Sequence, residues 1–248
     1  MAAQPTMSDP KFSKSPNWAK SLAGALAPHG LILRGGFQPA EEDALPSLGG
    51  GRPVRLLMLV GNAGPSLWAA FRRAPEASDG APHPLNRWTR RVVEEVAASF
   101  DAMALYPFEA SPAWPFQRWA QWAEPVFPSP LGLLIHPEFG LWHAYRAALL
   151  FAEPRSLLPP ARASHPCEVC AEKPCLAACP VGAFRPAEGG VRYDVPTCLN
   201  HLEGPLGQDC LEAGCLARRA CPVGAEWRSE PTQAGFHMRA FLRAGRGH

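Results

Sequence analysis

Eight cysteines constrain this chain more than anything else in it, because all of them lie between Cys167 and Cys221 of 248 residues. The first run is Cys167-x2-Cys170-x4-Cys175-x3-Cys179-Pro180, and the second is Cys198-x11-Cys210-x4-Cys215-x5-Cys221-Pro222. Both close on one pentapeptide, Cys179-Pro-Val-Gly-Ala183 and Cys221-Pro-Val-Gly-Ala225, at an offset of 42 residues (221 − 179). Such a repeat marks an internal duplication, with four cysteines to each half. Residues Met1 to Lys20 lack the apolar segment of a secretory signal, so a cytoplasmic location is expected. Clustered cysteines in a reducing compartment point to metal rather than to disulfides.

Three thiolates from one loop and a fourth from elsewhere suit a 4Fe–4S cube, and in two-cluster ferredoxins the Cys-Pro cysteine of each run ligates the other cluster. By that rule Cys167, Cys170, Cys175 and Cys221 hold one cluster, and Cys198, Cys210, Cys215 and Cys179 hold the other. Gly182 and Gly224 permit the tight turn after each Cys-Pro step. The x4 gap in the first run exceeds the x2 of a bacterial ferredoxin, and the second run is longer again. The added residues are expected to loop out. Two tetrahedral zinc sites are the alternative, although only Cys167/Cys170 has the paired spacing of a zinc knuckle. The lone histidines His165 and His201 are expected to hydrogen-bond near the thiols rather than to ligate. The spacing resembles the two-cluster modules of epoxyqueuosine reductase and the reductive dehalogenases, where a lone cysteine follows an Arg/Asp-rich step, as in Arg192-Tyr-Asp-Val-Pro-Thr-Cys198.

Upstream of residue 160 there are no cysteines and seven of the eight tryptophans. Two domains are expected, 1–155 and 156–248, joined by a stiff connector at Pro154, Pro159, Pro160 and Pro166. Helices are predicted over 17–27, 64–73 and 84–100. In the last, Leu85, Trp88, Val92, Val96 and Phe100 share one face. Strands are predicted over 31–33, 54–60 and 102–106, with 131–136 and 143–151 as a pair joined by Pro137-Glu138-Phe139-Gly140. Residues 107–130, with six prolines and three tryptophans, resist assignment, and Gly35-Gly36 and Gly49-Gly50-Gly51 read as loops. The result is a mixed sheet covered by helices. A net charge of +2 without a basic stripe gives no argument for nucleic acid, and no apolar run approaches the roughly 20 residues of a membrane span.

The densest chemistry is Pro130 to Arg146, with His136, Trp142, His143, Tyr145 and Arg146. An arginine entering an apolar strand needs an anionic partner. That partner is either a carboxylate such as Glu138 or Glu124, or the phosphate or carboxylate of a ligand. Ile135-His-Pro-Glu-Phe-Gly-Leu-Trp-His-Ala-Tyr-Arg146 resembles the Ile-His-Pro-x-Phe-Gly-x-Trp-x-Ala-x-Arg stretch of the CblC family of cobalamin-processing proteins. Residues 27–46, with Ala27-Pro-His-Gly30, Phe37 and Leu45-Pro46, add weaker likeness. The resemblance implies an α+β, nitroreductase/CblC-like fold with a mixed sheet and helices, which binds cobalamin. It puts Arg146 at the family's thiol-binding site and matches Trp142 to the family's Trp. The downstream region would be a small, bacterial-type ferredoxin-like domain with two 4Fe–4S clusters.

Trp114, Trp119 and Trp122 either stack on a flat macrocycle or belong to the core. His136 and His143 are candidate lower ligands of cobalt, with a structural role as the alternative. Members of the CblC family decyanate or dealkylate cobalamin, some with glutathione, and carry no clusters, so in this chain two clusters are expected to supply the electrons in place of the thiol. The expected function is transfer of electrons from two clusters to a corrinoid, with reduction of cobalt and loss of its upper ligand. A redox partner protein would supply those electrons. A flavin in place of the corrinoid, and a ferredoxin-like carrier whose first domain only docks a partner, are the alternatives.

Overall fold

A computed structural model describes residues 17–40, 43, 45–157, 161–188 and 190–246. The expected connector at Pro159 and Pro160 lies outside them. The chain divides into two compact units. The first takes the described residues of Met1–Asn62, Ser66–Glu124 and Ala144–Ala161, and the second those of Ala63–Pro65, Pro125–His143 and Arg162–His248.

The first unit is an α+β layer. Strands β1 (Ile32–Phe37), β2 (Leu56–Ala63), β3 (Met103–Leu105) and β6 (His143–Phe151) form one sheet in the order β1-β2-β6-β3. β1 runs antiparallel to β2, and β3 antiparallel to β6. All eight residues of β2 are buried, as its unbroken apolar run requires of a central strand. Helix α1 (Trp18–Leu26) buries Trp18, Leu22 and Leu26. Helix α3 (Pro84–Ser99) buries Leu85, Trp88, Val92, Val93 and Val96 along one stripe, with proline in its first turn.

Three elements differ from the sequence reading. Only Trp68–Arg72 of the segment 64–73 is helical (α2), because Gly64 has φ of +52° and turns the chain first. The unassigned stretch contains helix α4 (Phe116–Ala123), whose Phe116, Trp119, Ala120 and Ala123 are buried at helical spacing. Gly35-Gly36 is not a loop but a bulge inside β1, where the register with β2 shifts. The bulge makes room for α4, since a Cβ on Gly35 would stand 2.3 Å from the Ala123 carbonyl oxygen.

The second unit is mostly helical. A two-stranded ribbon, β4 (Phe127–Pro128) with β5 (Leu134–Ile135), precedes α5 (Pro174–Ala177). The hairpin β7 (Phe184–Ala187)/β8 (Gly190–Tyr193) follows, then α6 (Val195–Glu203), α7 (Gln208–Ala213), α8 (Leu216–Arg219) and α9 (Pro231–Arg246). The strands predicted over 131–136 and 143–151 therefore do not pair as a hairpin. β5 joins β4 and β6 joins the main sheet, while His136 and Gly140 close the intervening turn with reciprocal backbone hydrogen bonds of 2.9 Å. The unit's core gathers Leu131, Ile135 and Leu141 with Cys175, Ala217 and Cys221. Among the described residues no helix is long and apolar enough to cross a membrane.

Candidate functional site

The second unit places each cysteine by a short local device. Asp194 caps α6, its carboxylate accepting the Thr197 N–H at 3.1 Å, and so sets Cys198 on the first turn. The residues expected to loop out between Cys198 and Cys210 instead build the rest of α6, a tight turn at Pro205–Gly207 and the start of α7. Their helical pattern was masked by the turn residues Gly204-Pro205 and Gly207. α5 carries Cys175, α8 directly follows Cys215, and each leads into its Cys-Pro turn with a left-handed glycine, Gly182 at φ +57° and Gly224 at +66°.

The thiols fall into two sets of four. Burial pushes the Cys167 thiol up to about 11, and Cys221, Cys175 and Cys170 add to the effect as like-charged neighbours. Cys175 is raised by burial, then by Cys221 and Cys170, and Cys221 is raised by burial and by Cys170. In the other set burial raises Cys198 and Cys215, with Cys179 and Cys210 acting on the first and Cys210 and Cys198 on the second. Every named neighbour belongs to the same set, with Cys179 and Cys221 exchanged between the runs. All eight cysteines are free.

Backbone N–H groups point at several sulfurs. Ala183 donates to Cys179 Sγ at 3.3 Å, Leu176 to Cys175, and Ala217 and Arg218 to Cys215. Tyr193 hydrogen-bonds Cys198, and His165 accepts the Cys167 N–H on Nδ1 at 3.2 Å. Such donors favour thiolate, the form a metal needs, while burial forbids it unless a cation sits among the sulfurs. The donor chemistry therefore fits iron–sulfur clusters. Among the described residues no three His, Cys, Asp or Glu side chains converge as ligands of a metal ion. A cube seats its thiolates on separate irons, farther apart than ligands around one ion.

The other candidate residues are placed as follows. Trp119 is 1% exposed, stacks on Trp114 and packs at a tilt against Phe116 in the core of the first unit, whereas Trp122 is 42% exposed. His136 Nδ1 accepts the N–H groups of Glu138 and Phe139 at 3.1 and 3.2 Å, which fixes the turn. Trp142 is buried, and its indole N–H has no acceptor among the described residues. His143 Nε2 lies 3.1 Å from the Leu134 carbonyl.

Arg146, on β6, donates to Thr89 Oγ1 at 3.0 Å and to Asn86 Oδ1 at 3.5 Å, both on α3. Among the described residues its buried Nε has no partner and no carboxylate pairs with it, and burial lowers its pKa to about 10. The carboxylate partner considered for it, Glu124, is taken by Arg34, which is 1% exposed and binds it through Nη2 at 2.8 Å and Nε at 3.1 Å. Tyr145 also donates to Glu124. Arg146 thus keeps a desolvated charge that an anionic ligand group would satisfy. Sequence reasoning passed over Arg34 and Arg218. The signal for Arg218 was a basic residue between two candidate ligands, Cys215 and Cys221.

The structure is similar to that of the B12-trafficking protein CblC of C. elegans, a human MMACHC homologue, with a TM-score of 0.53 over 91% of this chain and 95% of that one, at 15% identity. The fold is similar to that of CblC. Epoxyqueuosine reductases from Streptococcus thermophilus and Bacillus subtilis match less closely, each with a TM-score of 0.47, at 12% and 14% identity. They cover 84% and 87% of this chain and 66% and 69% of their own. No family model matches the chain, and no curated protein sequence does.

Proposed function

We propose that this chain is an iron–sulfur redox protein. Two 4Fe–4S clusters, held by the second unit as a ferredoxin-like module, pass electrons to a corrinoid bound by the CblC-like unit. The observation that carries the reading is the division of eight thiols into two sets of four, with Cys179 and Cys221 exchanged. It occurs in a chain whose fold is similar to that of a B12-trafficking protein.

The clusters supply single electrons. A bound cobalt(III) corrinoid would be the electron acceptor, and its one-electron reduction would release the ligand to be removed as an anion. The protein's own part is to hold and shield. N–H donors and burial keep the thiolates in place, and the Arg146 guanidinium holds a phosphate or carboxylate group of the ligand against Thr89 and Asn86. A redox partner protein replenishes the electrons.

The test is an anaerobic titration of the reconstituted protein with hydroxocobalamin, followed by absorbance with and without a chemical reductant. A saturable shift, with cobalt bands that move on reduction and a response lost in Arg146→Ala, is expected. No shift at protein concentrations well above micromolar overturns the corrinoid reading and leaves a two-cluster electron carrier. A colourless protein that holds zinc overturns the iron–sulfur reading.

A further inference from the structure

We propose that the cavity between the β7/β8 hairpin and the first turn of α6 is the docking site of an acidic electron-donor protein, whose surface carboxylates pair with Arg185 and Arg192. The inference rests on the iron–sulfur reading above and gives the redox partner its chemistry. The cavity measures about 330 Å³ and is lined by Arg185, Arg192, Tyr193, Asp194 and Pro196. All five belong to the second unit, and Arg185, Arg192 and Pro196 are exposed.

Arg185 and Arg192 stand directly opposite each other in the antiparallel register of the hairpin. Opposed residues put their side chains on one face, with Cβ atoms about 4.5–5.5 Å apart, and like charges so placed repel. The hairpin is held in that register. The next pair, Phe184 and Tyr193, stacks its rings at 4.7 Å, and Tyr193 stacks in turn on Phe241 of α9 at 6.4 Å. Asp194 is the carboxylate at hand, and it is already engaged. It accepts the Thr197 N–H at 3.1 Å and stands 3.6 Å from Arg185, whose Nε donates to the Gly182 carbonyl at 3.3 Å. Among the described residues no carboxylate pairs with Arg192. Glu188 sits at the hairpin turn, outside the lining. The cavity thus holds two cations to one carboxylate, and a carboxylate from outside would relieve the repulsion.

The wall of the cavity is tied by its backbone to two of the thiols. The Asp194 N–H donates to the Ala183 carbonyl at 2.7 Å, and the Ala183 N–H donates to Cys179 Sγ at 3.3 Å. The Asp194 carbonyl accepts the Cys198 N–H at 3.2 Å. Cys179 and Cys198 are ligands of one proposed cluster, so a donor seated here stands close to an acceptor. One electron passes: the donor is oxidised, the cluster is reduced, and no bond forms or breaks. Electron-transfer contacts are small and transient, and exposed charges act on the rate of encounter more than on affinity. One hairpin with one helix turn provides such a contact.

Anaerobic stopped-flow mixing tests this, with reduced flavodoxin, an acidic one-electron flavin protein, as donor and the reconstituted full chain as acceptor. Flavin oxidation is read at the flavin's own absorbance, and iron content is measured for each variant. The second-order rate for the parent should fall about tenfold or more as salt rises from about 0.01 M to about 1 M, where the screening length shrinks from about 30 Å to about 3 Å. At low salt the double variant Arg185→Glu, Arg192→Glu should be slower than the parent by about tenfold or more. The double variant Arg185→Lys, Arg192→Lys should keep most of the rate. Arg72→Glu with Arg73→Glu, the same charge change made in the first unit, should stay within about twofold of the parent. Reduced methyl viologen, a small cation, should reduce every variant at least as fast as the parent. With iron at parental level, a flavodoxin rate that ignores salt overturns the proposal. So does a hairpin variant no slower than the Arg72, Arg73 variant, or one that viologen also reduces more slowly. A parent that viologen reduces and flavodoxin does not overturns it too. Parent protein without iron overturns the iron–sulfur reading itself.

Discussion

Gly182 and Gly224 occupy the same place in the repeated pentapeptide, and both adopt left-handed backbone. Their surroundings differ. A Cβ on Gly182 would meet nothing within 4 Å, while one on Gly224 would stand 2.4 Å from the Phe139 carbonyl carbon. Gly140 faces the same crossing from the other side, its own Cβ position 1.9 Å from the Val223 carbonyl oxygen. Gly182→Ala should therefore cost only the left-handed penalty, about 1–2 kcal/mol. Gly224→Ala adds a backbone clash and should cost at least about 3 kcal/mol. Urea unfolding of the two variants measures the difference, and equal costs would refute the close crossing. At this scale the sequence marks both glycines as turn residues and all eight thiols as one duplicated pattern. It cannot tell the two turns apart, because the crossing depends on residues some eighty positions upstream. For the same reason Arg218 was not singled out, since its partners Leu141 and Trp142 lie in a distant segment.

At the scale of elements, periodicity found what periodicity can find. β2 and α3 lie close to where their apolar patterns place them, since a central strand and a one-faced helix write their burial directly into the chain. α4 was hidden by the prolines and tryptophans around it, although Phe116, Trp119, Ala120 and Ala123 carry the helical spacing. The link from α2 to α3 is fastened by Glu76, whose carboxylate takes Arg91 Nε at 2.6 Å and Nη2 at 3.1 Å. Arg91 holds the Glu76 carboxyl below its ordinary value of 4.5. A lowered folded value means that the unfolded chain binds more protons in this window, so stability from this group rises with pH. It is complete above about 4.5, falls as pH drops towards the folded value, and is absent below it. Arg91 is 43% exposed, so the contribution is about 1 kcal/mol. The stability gap between parent and Glu76→Gln should be present at pH 7 and close on acidification below 4.5. A gap that does not shrink as the pH falls below 4.5 would show that packing rather than charge is lost.

Over the whole molecule, the two units have cores of different chemistry. The first buries leucines, valines and aromatic rings between sheet and helices, and the second builds its core around Cys175 and Cys221. On the proposed iron–sulfur reading, removing iron anaerobically with a chelator should lower one calorimetric transition and leave the other within a few degrees, because metal binding and folding are linked only where the ligands are. A single transition that moves as a whole would refute independent units. The α+β character was readable from the helix and strand patterns across residues 17–151, and the CblC likeness from residues 131–150. The affiliation of 125–143 was not, because an apolar segment does not record which partner will bury it. The chain leaves the first unit at Glu124 and rejoins it at Ala144. During synthesis Leu131, Ile135 and Leu141 thus emerge ahead of every cysteine and stay uncovered until Cys175, Ala217 and Cys221 follow. The cysteine region cannot then be handled as a cassette. A lineage that lost it by truncation, or a designer who grafted it elsewhere, would strand an apolar segment in the part left behind.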